Sequence, residues 1–109
     1  MIAIVDYGVG NLFSIKNMLN KVGAESVITG DPQTINKASK LILPGIGSFD
    51  YCVSKLNVSG LKDTLINIAA RQDTPIFGIC VGLQLMGKSS EEGKLPGLGW
   101  IDAVTVKFR

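Results

Sequence analysis

The stretch that decides the fold is Pro75-Ile-Phe-Gly-Ile-Cys-Val-Gly-Leu-Gln-Leu-Met86. Pro75–Ile79 reads as a strand, as does Ile2-Ala-Ile-Val5, a short continuous apolar run expected of a strand buried on both faces. Cys80 sits at the end of Pro75–Ile79, and residues 81–88 read as a helix. A strand that passes directly into a helix is half of a parallel β–α–β unit. The same grammar repeats along the chain. Ile2-Ala-Ile-Val5 is a strand, Asp6–Asn11 a turn, and Leu12, Ile15, Leu19 and Val22 mark one helical face that ends at Gly23. Glu25–Thr29 reads as the second strand, and Gly30-Asp-Pro32 as a turn that opens a short helix. Lys40-Leu-Ile-Leu43 is the third strand, stopped by Pro44-Gly45. A short helix through Leu56 and another with Leu61, Leu65 and Ile68 inward lead to the fourth strand, Pro75–Ile79. Ser89–Gly99 reads as a loop and Trp100–Phe108 as a fifth strand, with Trp100, Val104, Val106 and Phe108 of one parity. The expected fold class is α/β, a parallel sheet flanked by helices.

Composition narrows the function. The 109 residues fit one domain, and 46% hydrophobic against 18% charged residues exclude a disordered chain. A net charge of +2 argues against nucleic-acid and membrane-surface partners. No apolar run approaches the ~18 residues of a membrane span. The opening Met-Ile-Ala-Ile-Val-Asp lacks the basic start of a signal peptide, so a cytoplasmic location is expected. Two cysteines without a histidine cannot build a typical four-ligand zinc site, and nothing else suggests a disulfide scaffold. Neither a metal nor a cofactor is expected. Gly8-Val-Gly10 starts like a dinucleotide fingerprint, but position 13, where the third glycine belongs, is Phe13. The missing histidine also removes the commonest general base.

In a parallel α/β sheet, ligands bind at the carboxyl ends of the strands. Three loops there carry unusual sequence: Asp6–Asn11, Pro44–Asp50 and Gly78–Gly82. Gly78-Ile-Cys-Val-Gly82 has the nucleophile-elbow arrangement, with Cys80 in place of serine. Side chains at the flanking positions would strike the neighbouring strand and helix, so glycines stand there. The turn lifts the sulfur to a helix N-terminus, which favours thiolate, and offers the Val81 N–H as an oxyanion donor. The plain alternative is a packed cysteine between incidental glycines, and Cys52 reads as a packed or half-exposed helix residue. Gly45 and Gly47 permit N–H groups to face a ligand or simply form a turn. Gln84 lies one helical turn past Cys80 on the same side. Glu91 and Glu92 could hold an ammonium or amide group, or merely be solvated.

Four stretches together resemble the class I glutamine amidotransferase family, most of all the glutaminase subunits of imidazole glycerol phosphate synthase. They are Ile4-Val-Asp-Tyr-Gly-Val-Gly-Asn11, Leu43-Pro-Gly-Ile-Gly-Ser-Phe49, Gly78-Ile-Cys-Val-Gly-Leu-Gln-Leu-Met86 and Ser89-Ser-Glu-Glu-Gly93, in family order. The resemblance implies a flavodoxin-like class I glutaminase domain. It implies that Cys80 attacks the side-chain amide of glutamine, forming a glutamyl thioester and releasing ammonia. It implies oxyanion N–H groups from Gly47 and Val81, and glutamine-binding roles for Gln84 and Glu92. In that family the ammonia passes to a barrel-fold cyclase subunit that works in histidine biosynthesis, and the Asp6–Asn11 loop resembles a segment near that partner.

The family uses a Cys–His–Glu triad whose His and Glu lie in the second half of a chain about twice this length. Residues 1–109 therefore resemble the N-terminal portion of a single glutamine amidotransferase domain, with that second half absent. The expectation is that these 109 residues alone have no meaningful glutaminase turnover, and that one sheet edge is open. The competing readings are a paralogous amidotransferase subunit of surface-sugar biosynthesis, a Cys-elbow protein of the redox or deglycase type, and a non-catalytic half-domain that binds a partner.

Overall fold

A computed structural model describes residues 1–106. The elements run β1 (Ile2–Val5), α1 (Leu12–Lys21), β2 (Ser26–Thr29), α2 (Pro32–Lys37), β3 (Lys40–Leu43), α3 (Phe49–Ser59), α4 (Lys62–Arg71), β4 (Ile76–Gly78), α5 (Val81–Leu85), β5 (Ser89–Ser90) and β6 (Val104–Thr105). Four strands form a parallel sheet in the order β2-β1-β3-β4. Such a sheet with helices on its faces is the expected α/β class, and its order follows the first four strands of the flavodoxin-like arrangement.

Short apolar strands build this sheet because both faces are covered. Ala3, Val5, Leu41 and Leu43 are fully or almost fully buried, in one cluster with Leu56, Leu61, Leu65 and Ile68 from α3, α4 and the turn between them. The inward face expected for α4 is thus the one observed. The helix starts follow local chemistry. Asp31 accepts from the Gln33 and Thr34 N–H groups ahead of Pro32, and Ser48 accepts from Tyr51 N–H at the start of α3.

The opposite face is covered unevenly. Helix α1 lies against β1 and β2. Beside it an apolar groove of about 420 Å³ runs over β3 and β4, lined in part by Ile15, Met18, Ile42 and Phe77. Phe77 on β4 is 66% exposed, and no further strand pairs with β4 among the described residues. β4 is therefore one open edge of the sheet, with β2 at the other. No helix among the described residues is long and apolar enough to cross a membrane.

Three expectations need correction. Val22 is exposed: it caps α1 rather than sharing its inward face. Helix α5 stops at Leu85 instead of residue 88 because a later segment takes its carbonyls. Leu98 N–H donates to Leu85 O, Ile101 N–H to Met86 O and Gly99 N–H to Gly87 O. These bonds satisfy the end of the helix without another turn. The fifth strand shrinks for the same reason. The backbone at residues 98–101 is engaged by the end of α5, so only Val104–Thr105 is extended, and it pairs in parallel with Ser89–Ser90 outside the main sheet. Phe108 lies outside the described residues.

Candidate functional site

Strand order reverses direction between β1 and β3, the two central strands. The crevice beyond their carboxyl ends is where such sheets bind ligands. A cavity of about 140 Å³ lies there, lined by Gly10, Asn11 and Ser14 after β1, Pro44, Gly45 and Ile46 after β3, and Ile79 and Cys80 after β4. All three loops singled out by sequence thus meet at one place.

Cys80 is exposed, and its backbone stands at φ +54°, ψ −122°. Among the described residues it shares a positive φ only with Gln72 and glycines. The surroundings hold it in this strained state. A Cβ on Gly78 would lie 2.6 Å from Leu83 Cα, and one on Gly82 would run into the Leu43 carbonyl oxygen. The expected reason for the two glycines is therefore visible: Gly78 admits the helix and Gly82 admits the strand. The Gly45 loop adds a third close approach, since a Cβ there would lie 2.5 Å from Gly82 N and 3.1 Å from Val81 Cβ. The Pro44–Gly47 loop thus sits directly against the elbow.

This packing joins Cys80 and Val81 to the loop that carries Gly47. Neither the Gly47 N–H nor the Val81 N–H donates to a protein acceptor among the described residues. Unpaired backbone donors on the elbow and on the loop packed against it could serve an acyl-transfer site, where charge develops on a carbonyl oxygen. Gln84 follows on α5, and its N–H approaches Cys80 O at 3.4 Å. Its side-chain Oε1 is buried without a hydrogen-bond partner, and Gln84 is not among the residues that line the cavity at Cys80.

Glu92 is less directly engaged. It occupies an exposed turn after β5, and its N–H donates to Ser90 Oγ at 3.2 Å. The tie to the site runs through Asp50, a residue that sequence reasoning missed. The Asp50 carboxylate accepts from Lys94 N–H at 2.9 Å and Leu95 N–H at 3.0 Å. These bonds, Leu95 first, hold the carboxyl below its usual range. They draw the segment after Glu92 onto the first turn of α3, three residues past Gly47. An acidic residue in the first helical turn was the only local sign, and it would equally fit a dipole-compensating charge.

Tyr7 and Cys52 also escaped notice as site neighbours. Tyr7 is buried, and its hydroxyl donates to Pro44 O at 2.5 Å. Cys52 is buried on α3, as the packed reading expected, and its thiol donates to Ile46 O at 3.1 Å. Burial, with a smaller contribution from Cys52, pushes the Tyr7 phenol far above its ordinary range, so it remains a donor. Gly8 and Gly10 both have positive φ, and a Cβ on Gly10 would touch Pro44 at 3.0 Å. That close turn accounts for the first glycine pair.

Comparison with known proteins identifies the family. The CobB/CobQ-like glutamine amidotransferase domain family matches residues 2–108. Imidazole glycerol phosphate synthase subunit HisH 2 of Methanococcus maripaludis is 55% identical over 109 residues, covering all of this chain and 54% of that protein. The subunit of the same name from Pseudomonas aeruginosa is 47% identical over 99% of this chain and 54% of its own length. The chain spans about half the length of the curated relatives it matches. A crystal structure of a glutamine amidotransferase superposes at a TM-score of 0.78, over 96% of this chain and 55% of that one, at 20% identity. That likeness concerns the fold.

Proposed function

Because the chain belongs to the CobB/CobQ-like glutamine amidotransferase domain family, we propose that it is the N-terminal portion of the glutaminase subunit of an imidazole glycerol phosphate synthase. The substrate is glutamine. The Cys80 sulfur attacks the side-chain amide carbon, and the developing oxyanion takes hydrogen bonds from the Gly47 and Val81 N–H groups. Collapse expels ammonia, which leaves with a proton from the base that took the thiol proton. The resulting glutamyl thioester is hydrolysed by water to glutamate and free thiol. Gln84 and Glu92 hold the substrate.

The observation that carries this reading is the strained Cys80 backbone, locked by glycine contacts and followed by the unpaired Val81 N–H. Strain of this kind persists where a function requires it. The 109 residues contain no histidine, so the base and its carboxylate partner belong to a second half of the domain. The exposed Phe77 and the apolar groove over β3 and β4 suit such a covering half. A barrel-fold cyclase receives the ammonia, and the location is cytoplasmic.

Amide-labelled glutamine tests the proposal. The 109-residue chain is expected to release no ammonia catalytically. The protein purified from its native source, its intact mass near twice that of this chain, is expected to release it, faster with the cyclase present. Replacing Cys80 with Ala in the native-length protein should abolish release. Sustained turnover by the Cys80→Ala protein would overturn the mechanism.

A further inference from the structure

Two buried side chains grip the loop that carries the oxyanion donor, and the reading above gives neither of them a role. The Tyr7 hydroxyl donates to Pro44 O and the Cys52 thiol to Ile46 O, at 2.5 and 3.1 Å. Both residues belong to the interior, Tyr7 at 4% exposure and Cys52 at 0%, whereas Ile46, Gly47 and Ser48 are exposed. A trans peptide unit is planar, so its C=O and N–H point in opposite directions. All peptide bonds among the described residues are trans. Holding the Ile46 carbonyl inward therefore turns the Gly47 N–H outward. Gly47 has φ +81°, and a Cβ there would meet nothing within 4 Å, so packing around Gly47 itself does not set this orientation. The clamp must come from below.

We infer that Tyr7 and Cys52 are positioning residues, whose buried donors fix the Pro44 and Ile46 carbonyls and thereby aim the Gly47 N–H at the reacting oxygen. Tyr7 anchors the start of the loop to the segment after β1. Cys52 anchors its middle to α3. Neither touches the substrate. The assignment rests on Gly47 acting as an oxyanion donor, but the peptide geometry can be read independently of that role. An oxyanion donor misplaced by about an ångström loses much of its effect, and losing one outright costs about 10²–10³ in rate.

The test uses the native-length protein with ¹⁵N-glycine and two alkylating reagents. One reagent is a chloroketone with the glutamine side chain. The Cys80 thiolate displaces its chloride to give a thioether, after passing a ketone oxygen that needs the donor. The other is iodoacetamide, which needs no such donor. Cys52→Ala and Tyr7→Phe are expected to move the Gly47 amide resonance and to slow chloroketone labelling about tenfold or more, with iodoacetamide labelling unchanged. Cys52→Ser, which keeps a donor, should restore both readouts; a merely space-filling cysteine would not distinguish Ser from Ala in this way. Tyr7→Phe retains the ring and tests the clamp alone if Cys52→Ala fails to fold. An unmoved Gly47 resonance in the folded variants overturns the clamp. Wild-type native-length protein that shows no preference for the glutamine reagent overturns the glutaminase reading instead, and the resonance still decides the geometry.

Discussion

Gly82→Ala opposes two physical effects whose signs differ. Gly82 lies in the first turn of α5, where alanine is favoured over glycine by at most about 1 kcal/mol. Its added methyl, however, would overlap the Leu43 carbonyl oxygen and lie 2.8 and 2.9 Å from the Leu43 and Pro44 carbonyl carbons. These are backbone atoms at the end of a central strand, so no rotamer change can make room. Overpacking costs about 1–3 kcal/mol in general, and a backbone obstacle puts this site at the upper end. The expected net destabilisation is about 2 kcal/mol, or a Tm lower by roughly 10 °C for a domain of this size. Thermal unfolding followed by circular dichroism measures it. Asn17→Ala, an exposed change within α1, serves as the propensity control and should lie within about 0.5 kcal/mol of the parent. A Tm at or above the parent value for Gly82→Ala would show that the elbow does not pack against β3 as closely as argued.

Four further outcomes follow from the same structure. Cys80→Gly removes a non-glycine residue from φ +54°; after the added flexibility of the unfolded chain is counted, it should stabilise the fold by about 1 kcal/mol in urea titration while removing all thiol chemistry. Ile68→Ala, at a fully buried position on α4, should cost about 2–5 kcal/mol in the same titration. Asp50 has its pKa lowered in the fold by the Leu95 and Lys94 N–H groups. Its stabilising contribution is therefore present above the ordinary value of 3.8 and lost as pH falls through the lower folded value. Hydrogen exchange should show Leu95 protection falling below that pH, and Asp50→Ala should remove the protection at neutral pH. Phe77→Lys at the open β4 edge should reduce concentration-dependent self-association in sedimentation velocity, because a charged edge resists pairing with another strand.

Some of this molecule is written in local sequence. Ile2–Val5 and Lys40–Leu43 read as strands because both faces are buried, which makes their apolar runs continuous. Leu61, Leu65 and Ile68 mark an inward face because α4 packs on one side only. The elbow was legible because three constraints converge within five residues: a strand end, a helix start and two glycines that avoid collisions. Cys80 and Val81 therefore needed no tertiary information to be singled out.

What tertiary structure alone decided involves partners far apart in the chain. Asp50 meets Lys94 and Leu95 across more than forty residues, and Tyr7 meets Pro44 across thirty-seven. No local period encodes such pairs, and an acidic residue near a helix start or a tyrosine in a turn has several ordinary explanations. The end of α5 and the small β5–β6 pair were likewise set by residues 97–105 competing for backbone partners that helix periodicity alone would have assigned to α5. Local sequence specifies elements through burial and steric pattern. The orientation of the Gly47 peptide and the path of the Glu92 segment depend on donors and acceptors that become neighbours only when the sheet has assembled.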